Sequence, residues 1–393
     1  MLNVVYVLNS TYALGGASKS FVSMLSGLMD KGVYPIVVLP DKDGLYQILQ
    51  SMGVECIVSC FRPATYPHNR SSLKDILLFL PKLVARQIVN RRTVNRMMKV
   101  LKDRDIRLVH TNVSVVDVGY RFSRRTGIPH IYHVREYADL DFHEIYCPCS
   151  SVFHRLLRKN SYSICITRHI QSHHGLAGNP ASVVVYNGVE VPPVDVSSLK
   201  KDGYFLFAGR VDASKGVHVL LEAYAKYVSG AASPCRDLWI AGEAGSEAYY
   251  RKILHMVEKY GLCGKVKFLG GRDDIFLLMQ QAGAIVIPSR FEGFGRCMAE
   301  SMMNGCLVIA HDTAGLKEQF DNGVQMTGRE IGLRYTTPED LLECLKRVDE
   351  MTEAESGTMV AEAYKVARAL YAPAVNVERI YRFYNQILDV RSN

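Results

Sequence analysis

Short apolar runs rich in β-branched residues recur along this chain, separated by longer stretches whose apolar positions return every three or four residues. That alternation predicts parallel sheets flanked by helices. In the first half the strand-like runs are Val4–Leu8, Ile36–Leu39, Cys56–Val58, Leu108–His110, His130–His133, Ser163–Ile166 and Ser182–Val185, with a helix predicted from about Ala17 to Asp30. Tyr186-Asn187-Gly188 signals a turn, and the Pro-rich polar stretch from Pro192 to Asp202 reads as a linker. A second series follows at Tyr204–Ala208, Leu238–Ala241, Val266–Leu269, Ala284–Ile287 and Leu307–Ala310. Two α/β units in tandem predict Rossmann-like domains at 1–190 and 191–372, facing across a cleft where ligands sit. The last helix, within 373–393, is expected to return and brace the first domain.

Size agrees with this division, because 393 residues exceed what a single compact core holds. No apolar run approaches the about 20 residues of a membrane span, Ile76–Leu80 being cut by Pro81 and Lys82. The N-terminus opens on a strand-like run without a basic leader, so no signal peptide is expected. Ten cysteines without a regular framework suit a reducing cytoplasm.

Charge changes the picture. Residues 1–190 hold 23 Lys and Arg against 13 Asp and Glu, whereas residues 191–393 hold 24 against 26. Arg70 to Arg104 alone carries ten basic residues and two acids, with apolar residues at helical spacing: Leu73, Ile76, Leu77, Leu80, Leu83, Val84 and Ile88. Two readings stand side by side. The segment is either a docking element for an anionic membrane surface or an ordinary helix with its apolar side on the domain and its basic side in water.

The chemistry concentrates in the second half. Phe205-Leu-Phe-Ala-Gly209-Arg210 ends a strand, and Lys215-Gly216 leads into a helix. Two cations beside a helix N-terminus suit a diphosphate, since the helix dipole adds to their charge. Further on, Pro288-Ser-Arg-Phe-Glu292-Gly293-Phe294-Gly295 links a strand to a helix that contains Glu300. Amides at Phe294 and Gly295 can reach hydroxyl or phosphate oxygens, and two carboxylates eight residues apart can hold polyols.

These motifs, with Asn187-Gly188-Val189, Phe268-Leu-Gly270 and Thr313-Ala-Gly-Leu-Lys-Glu318, resemble the retaining glycosyltransferases of family 4, which have the two-domain GT-B fold. Gly15-Gly16-Ala17 after the first strand is similar to the family's N-terminal glycine loop, which extends the likeness over nearly the whole chain. The resemblance implies sugar transfer from a nucleotide-sugar donor such as a UDP- or GDP-sugar to a glycan or lipid-linked glycan acceptor, in polysaccharide or lipopolysaccharide synthesis, without a metal or other cofactor. It implies that Arg210 and Lys215 hold the diphosphate, with Gly209 in close approach. Glu292, Gly293, Phe294 and Gly295 would meet the sugar, Glu300 the ribose, and Gly15, Gly16 and Asn187 the donor's phosphate or sugar. His133 matches the family's active-site histidine, with His110 and His130 as alternatives. One departure stands out: the family often has Gly-Gly where this chain has Ala314-Gly315.

Other chemistry fits less well. Asp139-Leu140-Asp141 spells a metal-binding D-x-D, but lies outside the donor motifs. His143, Cys147, Cys149 and His154 lack a zinc spacing, and Leu14-Gly-Gly-Ala-Ser is not the dinucleotide fingerprint. The basic segment lacks the interleaved aromatic platforms of a nucleic-acid binder. Two rival functions stand beside this one: a nucleotide-sugar epimerase or hydrolase of the same fold and, from another class, a nucleotide-sugar sensor that binds without turnover.

Overall fold

The computed structural model describes residues 2–12, 15–67, 77–230 and 235–392. The chain divides into two units, Met1–Gly188 with Pro373–Asn393, and Val189–Ala372.

In the first unit, β1 (Leu2–Val7), β2 (Val33–Leu39) and β3 (Glu55–Val58) are followed by β4 (Thr65–Pro67), β5 (Ile106–Thr111) and β6 (His130–Val134). Then come β7 (Glu144–Tyr146), β8 (Tyr162–Cys165) and β9 (Ser182–Val184). Seven of these form one sheet in the order β3-β2-β1-β5-β6-β8-β9, all parallel. Val4 to Val7 are fully buried, as a strand covered on both faces requires. Phe21, Leu25 and Leu28 of helix Gly16–Asp30 cover one face together with Val377, Ile380 and Tyr384 of helix Pro373–Ser392. β4 and β7, three residues each, make a small antiparallel pair that the hydrophobic pattern did not foretell.

The second unit is built on β10 (Phe205–Ala208), β11 (Leu238–Ala241), β12 (Val266–Gly270), β13 (Ala284–Ile287), β14 (Val308–His311) and β15 (Leu333–Tyr335). Their order is β12-β11-β10-β13-β14-β15, parallel throughout. The chain first steps outward from β10 to β12, then returns to the other side of β10 and continues to β15. The helices that follow the adjacent strands β10 and β13 therefore lie on opposite faces of the sheet. The crevice they leave at the carboxyl edge is where doubly wound sheets bind ligands. Both chemically promising segments leave these two strands.

Helix Phe79–Val100 settles the orientation that the sequence left open. Its inward side carries Arg86, Asn90, Thr93, Val94 and Met97. Asn90 holds the backbone of Arg62 and the side chain of Asp117, and Thr93 donates to the Cys60 carbonyl at 2.6 Å. Leu77, Leu80, Val84 and Ile88 instead face outward while Leu83 is half-buried, so most of the apolar set does not pack on the domain. Residues 70–76, which include Leu73 and Ile76, lie outside the described residues. Among the described residues, no helix is long and apolar enough to cross a membrane.

Candidate active site

In the second unit, the loop after β10 is shaped by Asp212. Its carboxylate accepts hydrogen bonds from the amides of Ser214 and Lys215, closing a single 3₁₀ turn over Ala213–Lys215. It also pairs with Arg210 Nε at 2.6 Å, while the Arg210 side chain remains 64% exposed. Gly216 ends the turn at φ 73°, and a Cβ there would lie 2.0 Å from the Pro288 carbonyl oxygen. Only glycine lets the two loops meet so closely. A bond from the Arg290 amide to the Ser214 carbonyl, 3.1 Å, fastens them together.

That contact brings Lys215 to Glu292, with Nζ 2.5 Å from Oε1 and side chains 30% and 19% exposed. Burial pulls the Lys215 pKa down, while the charge and hydrogen bond of Glu292 pull it up; the net direction is up. The ammonium therefore stays charged. Glu300, one turn into helix Arg296–Met303, pairs with Arg296 at 3.1 Å. Arg296 is thus a cation of the site that motif reading passed over. Cys297 was also missed; it is half-buried near this cluster and donates its thiol to the Ala208 carbonyl at 3.4 Å. Burial, with Glu300 and Glu292 nearby, pushes that thiol up, so it stays protonated.

The third segment clamps the second from behind. Gly315 donates its amide to the Glu292 carbonyl at 3.0 Å, and a Cβ on Gly315 would come within 2.8 Å of the Glu292 and Phe294 backbone. Gln319 Nε2 holds the Phe294 carbonyl at 2.6 Å and the Gly295 carbonyl at 3.1 Å. Gly293 and Gly295 thus lie in a loop fixed by its backbone, with Gly295 at the N-cap of the helix. Ala314, the departure from the family pattern, adopts φ 48°, a left-handed conformation suited to glycine.

In the first unit, Gly15 and Gly16 stand at the start of the helix after β1, while Ala13 and Leu14 lie outside the described residues. His133 is fully buried at the end of β6. Its Nδ1 lies 3.2 Å from His110 Nε2 and 3.3 Å from Arg135 Nη2. A guanidinium can only donate, so His133 Nδ1 is the acceptor. Burial, aided by Arg135, lowers the His133 pKa well below the usual value, so the ring is neutral and carries its proton on Nε2. That Nε2 is buried without a hydrogen-bond partner. His110, the alternative candidate, is its supporting neighbour and is tied in turn to the Tyr384 hydroxyl. His130 sits at the other end of β6, bonded to Ser161 and Thr111.

Arg135 also holds Asn187 Oδ1 at 2.6 Å and the Asn112 side chain at 2.9 Å. Asn187 therefore comes together with His133, while Arg210 and Lys215 belong to the other unit. Glu136 accepts from the Ser114 amide and hydroxyl and from the Val115 amide, pinning the loop after β5. The sequence signal for this network was the strand ending His133-Val-Arg135-Glu136 itself. Asp139 and Asp141 have local tasks: Asp139 pairs with His173, and Asp141 accepts the Tyr137 amide. Among the described residues, no group of three or more His, Cys, Asp or Glu is placed to hold a metal ion.

The chain is similar to known proteins. Residues 194–352 match the family model described as glycosyl transferases group 1. The chain is 29% identical over 163 residues to a lipopolysaccharide core biosynthesis mannosyltransferase, LpsB, of Rhizobium meliloti, covering 37% of this chain and 45% of that protein. It is 27% identical over 164 residues to a D-inositol 3-phosphate glycosyltransferase of Corynebacterium diphtheriae, covering 40% and 37%. The matched stretch thus spans less than half the length of these relatives. The likeness of structure extends further. Anabaena Alr3699/HepE, solved in complex with UDP, superposes with a TM-score of 0.76 at 20% identity, over 98% of this chain and 100% of that one. Sucrose-phosphate synthase of Thermosynechococcus elongatus gives 0.74 at 18%, over 99% and 100%. The chain accordingly has the GT-B fold, and residues 194–352 of its second unit match the glycosyl transferases group 1 model.

Proposed function

We propose that this protein is a retaining, metal-independent glycosyltransferase that moves a sugar from a nucleotide-sugar donor to an acceptor hydroxyl during synthesis of a surface polysaccharide or glycolipid. One observation carries the reading: Lys215 and Glu292 meet where the strand order reverses, with Arg210 on the same loop as Lys215. The UDP and UDP-glucose complexes of the similar HepE support a nucleotide-sugar donor, and the LpsB likeness supports a glycolipid or polysaccharide pathway.

Breaking the sugar–phosphate bond leaves positive charge on the sugar and added negative charge on the departing diphosphate. Arg210 and Lys215 would offset the latter without reorganising, because the Asp212 turn and the loop–loop contact already fix them. Glu292 would then serve the sugar hydroxyls and Glu300 the ribose. The departing phosphate oxygen would accept the acceptor's proton on the face it leaves, which gives retention. The enzyme would work in the cytoplasm, against acceptors carried at the membrane.

The test is a thermal-shift panel of uridine and guanosine diphosphates and their sugars, followed by assay of free nucleoside diphosphate. The reading requires stabilisation by at least one diphosphate and diphosphate release that depends on an added glycan acceptor. Release without acceptor would mark a hydrolase. Binding without release under any acceptor would mark a sensor.

A further inference from the structure

Three helices of the first unit, Phe79–Val100, Val118–Thr126 and Ser150–Asn160, contain twelve Lys and Arg and not one Asp or Glu. They adjoin one another. The first packs on the second, where Arg125 bonds Asn95 at 2.6 Å. The second and third border one hollow of 420 Å³, lined by Arg124, Arg158 and Lys159 among others. Arg86 is buried, and Arg121 pairs with Asp117 at 2.8 Å. The remaining cations of these neighbouring helices are exposed.

Charge alone would suit any polyanion. The first helix adds a second property, because it is amphipathic with its apolar side turned outward. Leu77 and Leu80 are each 68% exposed, Val84 57% and Ile88 46%. At 100° per residue these positions fall on one stripe, and the same stripe continues into Arg91, Arg92, Asn95 and Lys99. The outward line of the helix is thus apolar over its first half and cationic over its second. Asn90 and Thr93 on the opposite side are committed to the loop at Ser59–Pro63, so the helix cannot roll its apolar stripe inward without breaking those bonds.

We infer that this face docks on an anionic lipid bilayer, with Leu77, Leu80, Val84 and Ile88 entering the headgroup–acyl boundary and the cations lying over lipid phosphates. An exposed apolar row beside helices rich in cations and free of acids matches both layers of such an interface. A nucleic acid or acidic protein would use the charge and leave the aliphatic row in water.

The full-length chain is sedimented with vesicles of phosphatidylglycerol and phosphatidylcholine, and with phosphatidylcholine alone. Binding to the anionic vesicles, weakened by salt, and little to the neutral ones is expected. Arg91→Gln, Arg92→Gln and Arg96→Gln together lower the partition coefficient by about 100-fold, since each cation near such a surface contributes on the order of a fivefold factor. Leu80→Asn, Val84→Asn and Ile88→Asn together also lower it by at least tenfold. All six positions are exposed, and unchanged melting temperatures verify that both variants fold. Unaltered vesicle binding in the asparagine variant would overturn the inference in favour of a general polyanion surface, and absence of binding by the parent chain would overturn it outright. Sedimentation needs no turnover, so neither result bears on the glycosyltransferase reading.

Discussion

Lys215→Met isolates the central pair of the second unit. The change keeps the unbranched side chain to within one atom of its length and removes its charge, leaving the Glu292 carboxylate, 19% exposed, without its counter-ion at 2.5 Å. A hydrogen bond between charged groups contributes about 1.5–3 kcal/mol, so the variant should lose roughly 2 kcal/mol. For a unit of this size that lowers its melting temperature by about 4–8 °C. Adding Glu292→Gln removes the stranded charge. Because a partly buried ion pair is readily replaced as a whole but costly to break by halves, the double variant should regain most of the lost stability. Activity should behave differently: both variants should lose the melting-temperature rise that a nucleoside diphosphate gives the parent, and turnover should fall by about 100- to 1000-fold. Calorimetric melts with and without diphosphate, run beside the turnover assay, separate the two effects. If Lys215→Met alone keeps its diphosphate response, or if the double variant is no more stable than the single one, the reasoning about this pair is wrong.

Three further outcomes are expected. Ala314→Gly relieves an L-residue at φ 48°; set against the greater entropy of unfolded glycine, the gain should be about 0.5–1 kcal/mol, read as a melting temperature higher by a few degrees, and a lower one would refute the strain. Gly216→Ala places a Cβ 2.0 Å from the Pro288 oxygen, so it should cost at least about 2 kcal/mol and depress diphosphate affinity as the loops part; an unchanged melt would show that the contact yields easily. Acid should weaken the first unit: burial brings His130 down to about 3 and His174 to about 4, and holds His110 and His133 well below 6.5. The unfolded chain then takes up protons below about pH 6.5 while the folded one does not, and stability falls as pH falls. Glu136, raised by burial to about 7, opposes this with a single proton. Urea midpoints should therefore correspond to a net loss on the order of 3 kcal/mol between pH 7.5 and 5.5, and equal midpoints would contradict the sign.

Local patterning determined a good deal. Runs such as Val4–Leu8 and Ala284–Ile287 are strands because a doubly covered parallel sheet accepts uninterrupted β-branched residues, and that signal lies within each segment. The Arg210–Lys215 and Glu292–Glu300 motifs were legible for the same reason, since their glycines and charges sit at fixed short spacings around strand ends. Three-residue strands such as Leu333–Tyr335 carry too few positions to show a period. Tertiary structure decided what no spacing encodes. Lys215 meets Glu292 across 77 positions because β10 and β13 lie side by side. Arg135 joins Asn187 to His133, and Asn90 and Thr93 capture a distant loop and so turn the apolar stripe of their helix outward. Each depends on which strands and loops become neighbours, and the burial of the whole core fixes that choice.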